Sequence, residues 1–197
     1  MDYLTELDSQ LGDGDHGRNL DRGFSEVRRA LLNAGGTDIG EILELTGASL
    51  VSSIGGASGP IFGTAFSSAG HAVKGKSKVG MADVVAMLEA AETAVGSLGG
   101  AKVGDKTLLD SLHPAAVAAR RRLQEGDSDL VGAFEYIVGA ANSGLETTKG
   151  LVAKKGRAMY LGDRGLGTPD VGATSLCIML ESALDFLRRL DAGKDSA

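Results

Sequence analysis

Apolar residues recur every three or four positions along most of this 197-residue chain. The clearest stripes run from Leu20 to Leu31, Val84 to Leu98, Leu130 to Leu145 and Leu176 to Leu190. This period marks one face of an α-helix, whereas a half-buried strand alternates apolar and polar residues. No segment sustains such alternation, and β-branched runs are scarce. The sequence therefore predicts an all-α bundle of roughly seven or eight helices.

Glycine separates these stripes. The chain has 30 glycines, and many cluster with Asp, Ser and Thr in predicted loops at 12–17, 35–36, 55–60, 75–80, 99–104, 126–129 and 162–172. Polar chemistry is expected where those loops meet. Gly63, Gly132 and Gly139 instead lie inside predicted helices. Each costs up to about 1 kcal/mol relative to alanine, so we expect these glycines to permit close helix contact or ligand approach.

Length and charge limit the class of protein. The chain fits one domain, residues 1–197. Its net charge of −6 and pI near 5.1 argue against a nucleic-acid or acidic-membrane partner, because either would require a concentrated basic face. Cys177 is the single cysteine, and no leader or long apolar span is evident. These features predict a protein of the reducing cytoplasm.

The segment from Asp8 to Gly17 carries most of the chemical information. Asp8, Asp13, Asp15 and His16 alternate with glycines that let the chain turn tightly. Two carboxylates about 5 Å apart repel by about 3 kcal/mol at an effective dielectric of 20, so their convergence calls for a cation. Oxygen ligands without cysteine suit Mg²⁺ or Mn²⁺.

This acidic segment has two other interpretations. An EF-hand loop counted from Asp13 would place Phe24 where the bidentate glutamate belongs, which excludes a calcium loop. Solvated turn and N-cap carboxylates are the simpler alternative. The density of carboxylates together with His16 favours metal. Three carboxylates and a nucleoside diphosphate carry about −6, of which two divalent ions would neutralise about 4.

Three further loops suit phosphate chemistry. The segment 55–60 opens a helical pattern, so its amides and Ser58 would face an anion, although a plain N-cap fits equally well. The segment 99–107 resembles a P-loop, but Asp105 is one residue too many and a helical stripe precedes it, so a Walker fold is rejected. In the long connection after 154, Arg157 and Arg164 would neutralise phosphoryl charge or form surface ion pairs.

Together these segments resemble a known family, the nucleotide-binding L subunit of phosphotransferase-system-dependent dihydroxyacetone kinases. The resemblance runs from about Tyr3 to the C-terminus. It is carried by four motifs in the family's order: LTxLD with GDGDHG at 4–17, GGASGP at 55–60, GDKT at 104–107 and GRAxYLG at 156–162.

The resemblance implies an antiparallel eight-helix barrel that holds ADP, or ATP, in loops at one end. Asp8, Asp13 and Asp15 would ligate two Mg²⁺ ions, and Arg157 and His16 would be catalytic. The residues matching nucleotide contacts are His16, Gly17, Arg18, Asn19, Ala57, Ser58, Gly99, Thr107, Leu108, Arg157, Asp170, Val171 and Gly172.

The family also implies partners. Dihydroxyacetone or a related ketose would be held on a separate K subunit, and the phosphoryl group would arrive from a phosphocarrier M subunit through bound nucleotide. Val171 stands where the family usually has proline, and the chain starts about two dozen residues late, where a first helix would lie. A barrel short of that helix would expose apolar surface and favour a homodimer, whereas a wrongly chosen start codon explains the same gap.

Three other functions remain open at this point. The domain would serve equally as an ATP-dependent kinase module for another acceptor. It would also suit a nucleotide-sensing interaction protein that does not turn over. A metal-dependent phosphohydrolase is the third, but no water-activating base beyond His16 is evident.

Overall fold

The computed structural model describes residues 2–126 and 129–194, and this part of the chain contains helices and no strand. Eight α-helices and one 3₁₀ segment follow in order: α1 (Asp2–Leu11), α2 (His16–Asn33), α3 (Ile39–Ser53), α4 (Ser58–Ala72), α5 (Met81–Gly99), α6 (Leu109–Gln124), α7 (Leu130–Thr148), the 3₁₀ segment (Arg157–Gly165) and α8 (Val171–Lys194). The all-α prediction is confirmed. Part of the predicted loop at 126–129 lies outside the described residues.

From α2 to α8, consecutive helices pack against each other and run antiparallel. On α5 and α6, for example, Glu92 contacts His113, whereas the earlier Glu89 pairs with the later Arg120. The same reversal relates α7 to α8. The N-termini of α2, α4, α6 and α8 therefore lie at one end of the bundle, and the loops that carry the sequence motifs meet there.

The core consists of three apolar clusters. One joins α5 to α8 around Ala119, Ile137 and Cys177, and a second joins α2 to α6 around Leu50 and Leu112. The third is small and lies at the motif-bearing end. It contains Leu7, Leu11 and Val171, with Ala158 and Leu161 of the 3₁₀ segment packed against them.

The predicted stripes do not include α1, although its three leucines have the helical spacing of three and four positions. Its buried residues are Leu4, Leu7 and Leu11, and it packs against α2, α8 and the 3₁₀ segment. None of the helices described is both long and apolar enough to cross a bilayer.

Helices α3 and α4 approach closely because glycines face each other. A methyl group on Gly47 would lie 2.5 Å from the Gly63 carbonyl oxygen and would also meet the Ser67 hydroxyl. The prediction of close contact at Gly63 is therefore confirmed. At Gly139 no close helix contact forms, because a methyl group there would meet nothing within 4 Å.

The N-terminus of α8 is capped by Asp170. Its carboxylate accepts from the Ala173 amide at 2.7 Å, and its carbonyl accepts from the Thr174 amide at 2.9 Å. Burial raises the pKa of the Asp170 carboxyl to about 7, and nearby Asp110 acts in the same direction. The amide hydrogen bonds and the Lys106 ammonium oppose this shift. The N-terminus of α8 therefore contains a buried carboxyl group that titrates near neutral pH.

Replacing Gly47 by alanine should destabilise the fold, since the new methyl group would push α3 away from α4. We expect the free energy of unfolding in urea to fall by about 1–3 kcal/mol. Gly139→Ala is the matched control in an open helix position, and we expect it to raise stability by up to about 1 kcal/mol. Equal effects of the two substitutions would contradict the close α3–α4 contact.

Asp170→Asn should change how stability depends on pH. The pKa of Asp170 in the folded state is raised above the unfolded value of 3.8, because the fold favours the protonated carboxyl. The stability that the protonated Asp170 contributes to the fold is fully present below pH 3.8 and is lost as pH rises through about 7. The wild type should lose at most about 4 kcal/mol across this window, and the variant should lack that loss.

Urea unfolding at several pH values within that window measures the difference between the two proteins. Asp38→Asn makes the same substitution at the N-cap of α3, where the carboxylate accepts from the Gly40 amide at 2.8 Å. This control measures the cost of losing a helix cap alone, so that the effect of the buried Asp170 carboxyl can be separated from it. If the difference in unfolding free energy between Asp170→Asn and wild type does not vary with pH, the pKa of Asp170 is not raised in the folded protein.

Candidate functional site

The acidic segment forms a tight corner between α1 and α2. Asp8 lies in the last turn of α1, and its Oδ2 accepts from the backbone amides of Asp15 at 3.0 Å and His16 at 3.1 Å. The chain turns at Gly14, whose φ of 69° lies in the left-handed region. Asp8 therefore binds the exposed amides at the start of α2 and fixes the corner.

This corner brings the three predicted carboxylates together. One oxygen from each of Asp8, Asp13 and Asp15 lies within 4.8 Å of the others. Arg157, the first residue of the 3₁₀ segment, forms an ion pair with Asp13 Oδ2. Its side chain is nevertheless 63% exposed, so the guanidinium can exchange this partner for another anion. A donor set made only of oxygens, next to an exposed arginine, fits a hard divalent ion such as Mg²⁺.

His16 begins α2 and is buried, with both ring nitrogens hydrogen-bonded. Ser175 donates its hydroxyl to the Val171 carbonyl at 2.9 Å, so its oxygen accepts from His16 Nε2–H at 2.8 Å. Nδ1 is then the acceptor for the Ser58 hydroxyl at 3.0 Å. Burial lowers the pKa of His16, which keeps the ring neutral, although nearby carboxylates oppose this effect.

The histidine thus connects the first turns of α2, α4 and α8. A direct catalytic role for His16 would require its ring to exchange one hydroxyl partner for a substrate oxygen. Ser175 was not predicted, because it is 159 positions away from His16 and directly precedes the apolar stripe that begins at Leu176.

The N-terminus of α4 has free amides. Its N-cap is Ala57, which has no side chain that accepts a hydrogen bond, and the preceding Gly56 has a left-handed φ of 68°. The Ser58 side chain is turned to His16 instead of capping the helix. The amides of Ser58 and Gly59 therefore remain available to an anion, whereas Pro60 has no N–H and the Ile61 amide donates to the Ala57 carbonyl at 3.1 Å.

The loop that resembles a P-loop is built differently. Carboxylates use several of its amides: Asp105 accepts from Lys102 N at 2.9 Å, and Asp110 accepts from Gly104 N at 2.6 Å and Thr107 N at 2.7 Å. Those amides cannot also cradle a phosphate. The rejection of a Walker fold agrees with this geometry.

The remaining predicted contacts lie around the same end. Arg18 donates to the Gly14 carbonyl at 3.1 Å, and Asn19 accepts from Arg22 at 2.9 Å. A methyl group on Gly172 would lie 3.6 Å from the Leu108 amide, so the starts of α6 and α8 are adjacent. The other predicted positions occupy these helix termini: Gly17 in α2, Gly99 at the end of α5, Thr107 before α6, and Val171, buried with Leu7 and Leu11.

Comparisons with known proteins place the chain in a family. The family model described as "DAK2 domain" matches residues 10–185. The chain is 38% identical over 190 residues to the "PEP-dependent dihydroxyacetone kinase 2, ADP-binding subunit DhaL" of Listeria innocua, covering 95% of this chain and 87% of that protein. It is 41% identical over 180 residues to the ADP-binding subunit DhaL of Escherichia coli, covering 91% and 85%.

A solved structure extends the comparison to the fold. The dihydroxyacetone kinase of C. freundii, in complex with AMP-PNP and Mg²⁺, matches with a TM-score of 0.70 and 25% identity over 93% of this chain and 30% of that one. The chain therefore belongs to the DAK2 domain family.

Proposed function

We propose that this chain binds ADP with two Mg²⁺ ions and relays a phosphoryl group to dihydroxyacetone, or a related ketose, held on a separate K subunit. The phosphoryl group would be supplied by a phosphocarrier M subunit. The observation that carries this proposal is the cluster of Asp8, Asp13 and Asp15 beside Arg157 and the first turn of α2. The names of the similar ADP-binding subunits support it.

Each side chain has a defined part in this proposal. Asp8 holds the corner, while Asp13 and Asp15 present further oxygens to the metal. When bound, Mg²⁺ would offset phosphate charge. The free amides at the start of α4 bind phosphate oxygens, and neutral His16 holds the starts of α2, α4 and α8 in register.

Arg157 is the proposed catalytic cation. Its exposed guanidinium pairs with Asp13, and a phosphoryl group arriving at the cluster would compete for its donors. Charge that develops on the transferred group would then be neutralised by a planar, permanently protonated side chain. The acceptor sugar would come from the partner subunit, so this chain alone should not phosphorylate a ketose.

ATP-dependent transfer to another acceptor is the second candidate. It is favoured by the similarity to the kinase solved with AMP-PNP and Mg²⁺, since AMP-PNP is an analogue of ATP. The same carboxylates and amides would serve both reactions. The two functions differ in whether nucleotide remains bound between turnovers or is exchanged for ATP.

Asp13→Asn should abolish nucleotide retention, because it removes one carboxylate charge from the metal cluster without changing its shape. We expect Mg²⁺-dependent ADP binding, measured by calorimetry, to weaken by roughly a hundredfold, with phosphorylation lost when partner subunits are added. Asp21→Asn, at an exposed position of α2, is the matched control. Stoichiometric nucleotide and full activity in Asp13→Asn would refute the metal cluster.

Gentle purification should yield the chain with ADP bound if it acts as a relay. Mass spectrometry of the intact complex under native conditions measures this occupancy, and labelled ADP measures exchange. A relay subunit is expected to keep its nucleotide on the timescale of turnover. Rapid exchange with added ATP would instead support the ATP-dependent kinase.

A further inference from the structure

The largest fully buried side chain among the described residues is that of a lysine. Lys106 is 1% exposed, and its backbone has a φ of 60°, in the left-handed region that residues other than glycine seldom occupy. Burial lowers the pKa of its ammonium, while Asp170 favours the charged form. Lysine is almost never fully buried without a partner, and strained backbone persists where the surrounding structure enforces it. Both features indicate a specific role.

The Lys106 ammonium donates to the carbonyl oxygen of Gly165 at 2.6 Å. Gly165 is the last residue of the 3₁₀ segment, where carbonyl groups have no partner within the helix. A cation at the C-terminal end of a helix also complements its dipole. Lys106 therefore caps the 3₁₀ segment from inside the protein.

The neighbouring residue holds the other side of this segment. The Asp105 carbonyl accepts from the backbone amide of Lys154 at 3.0 Å, and its carboxylate pairs with the Lys154 ammonium at 3.3 Å. Asp105 thus holds the chain at Lys154, just before the 3₁₀ segment, and Lys106 holds it at Gly165, the last residue of that segment. Between these points, Ala158 and Leu161 rest on the small cluster at the end of α1.

We propose that Lys106 is a positioning residue for Arg157: by capping the 3₁₀ segment at Gly165, it fixes the register in which the guanidinium faces the aspartate cluster. Its ammonium lies inside the protein and bonds to a backbone carbonyl, so it does not contact substrate. The role at Arg157 rests on the proposed phosphoryl transfer, whereas the anchoring of the segment does not.

Lys106→Met tests the anchoring. The substitution removes the ammonium and keeps an unbranched apolar chain, and replacement of buried charge by apolar groups is often neutral for global stability. Trypsin cleavage after Arg157 and Arg164 should become roughly tenfold faster or more, because a hydrogen bond to a charged group is lost and the segment opens locally. Lys74→Met is the matched control, since Lys74 is exposed and pairs with Glu44 at the opposite end of the bundle. Trypsin should cleave this variant after Arg157 and Arg164 at the wild-type rate.

A double-mutant cycle tests the route through Arg157. With partner subunits present, Lys106→Met should lower kcat for phosphoryl transfer more than it changes KM, and should have little further effect in the Arg157→Ala background. Lys106→Gln, which keeps a donor, should give intermediate values, and it replaces Lys106→Met if that variant does not fold.

If trypsin cleaves both Lys106 variants after Arg157 and Arg164 at the wild-type rate, Lys106 does not anchor the 3₁₀ segment. Additive losses of kcat in the cycle would overturn the route through Arg157. If the wild-type chain supports no transfer with any partner, the proposed function fails, while the cleavage rates still decide whether Lys106 holds the segment.

Discussion

The antiparallel packing of α2 to α8 directs four helix N-termini toward one end of the bundle, and the rest of the site depends on this. Each N-terminus carries the positive end of a helix dipole. Carboxylates bind amides at the starts of α2, α6 and α8, whereas α4 has no side-chain cap, so this end of the bundle attracts anions. The helix dipoles therefore help an acidic chain, with net charge −6, to gather carboxylates and phosphate at this end. Arg157, Lys106 and Lys154 add positive charge there.

Carboxylates at this end divide into two groups. Asp8, Asp110 and Asp170 accept hydrogen bonds from backbone amides and fix the starts of α2, α6 and α8. Asp13 is exposed and pairs with an exposed arginine, so it remains free to change partners. The three hydrogen-bonded carboxylates define the shape of the site, and Asp13 remains available to bind a metal ion or to release Arg157.

Much of this organisation follows from local sequence, and the rest depends on distant contacts. The meeting of Asp8, Asp13 and Asp15 could be predicted, because glycines confine all three to one short corner. The burial of Lys106 could not, since its partner Gly165 is 59 positions away and the surrounding motif looks like an exposed phosphate loop. The 3₁₀ segment was predicted as a connection, because its three-residue turn leaves no stripe of helical period.

The division between rigid and adjustable parts would also suit the proposed function, in which the chain meets a K subunit and an M subunit. The nucleotide would rest on helix termini whose positions are set by the packed bundle. Arg157 instead lies on the 3₁₀ segment, which kinks at Gly162 with a φ of 56° and rests on a small apolar cluster. Lys106 and a few other hydrogen bonds set the position of this segment, so breaking them could shift it without disturbing the packed helices. In the proposed function, Arg157 could then respond to a docked subunit while the nucleotide stays on the helix termini.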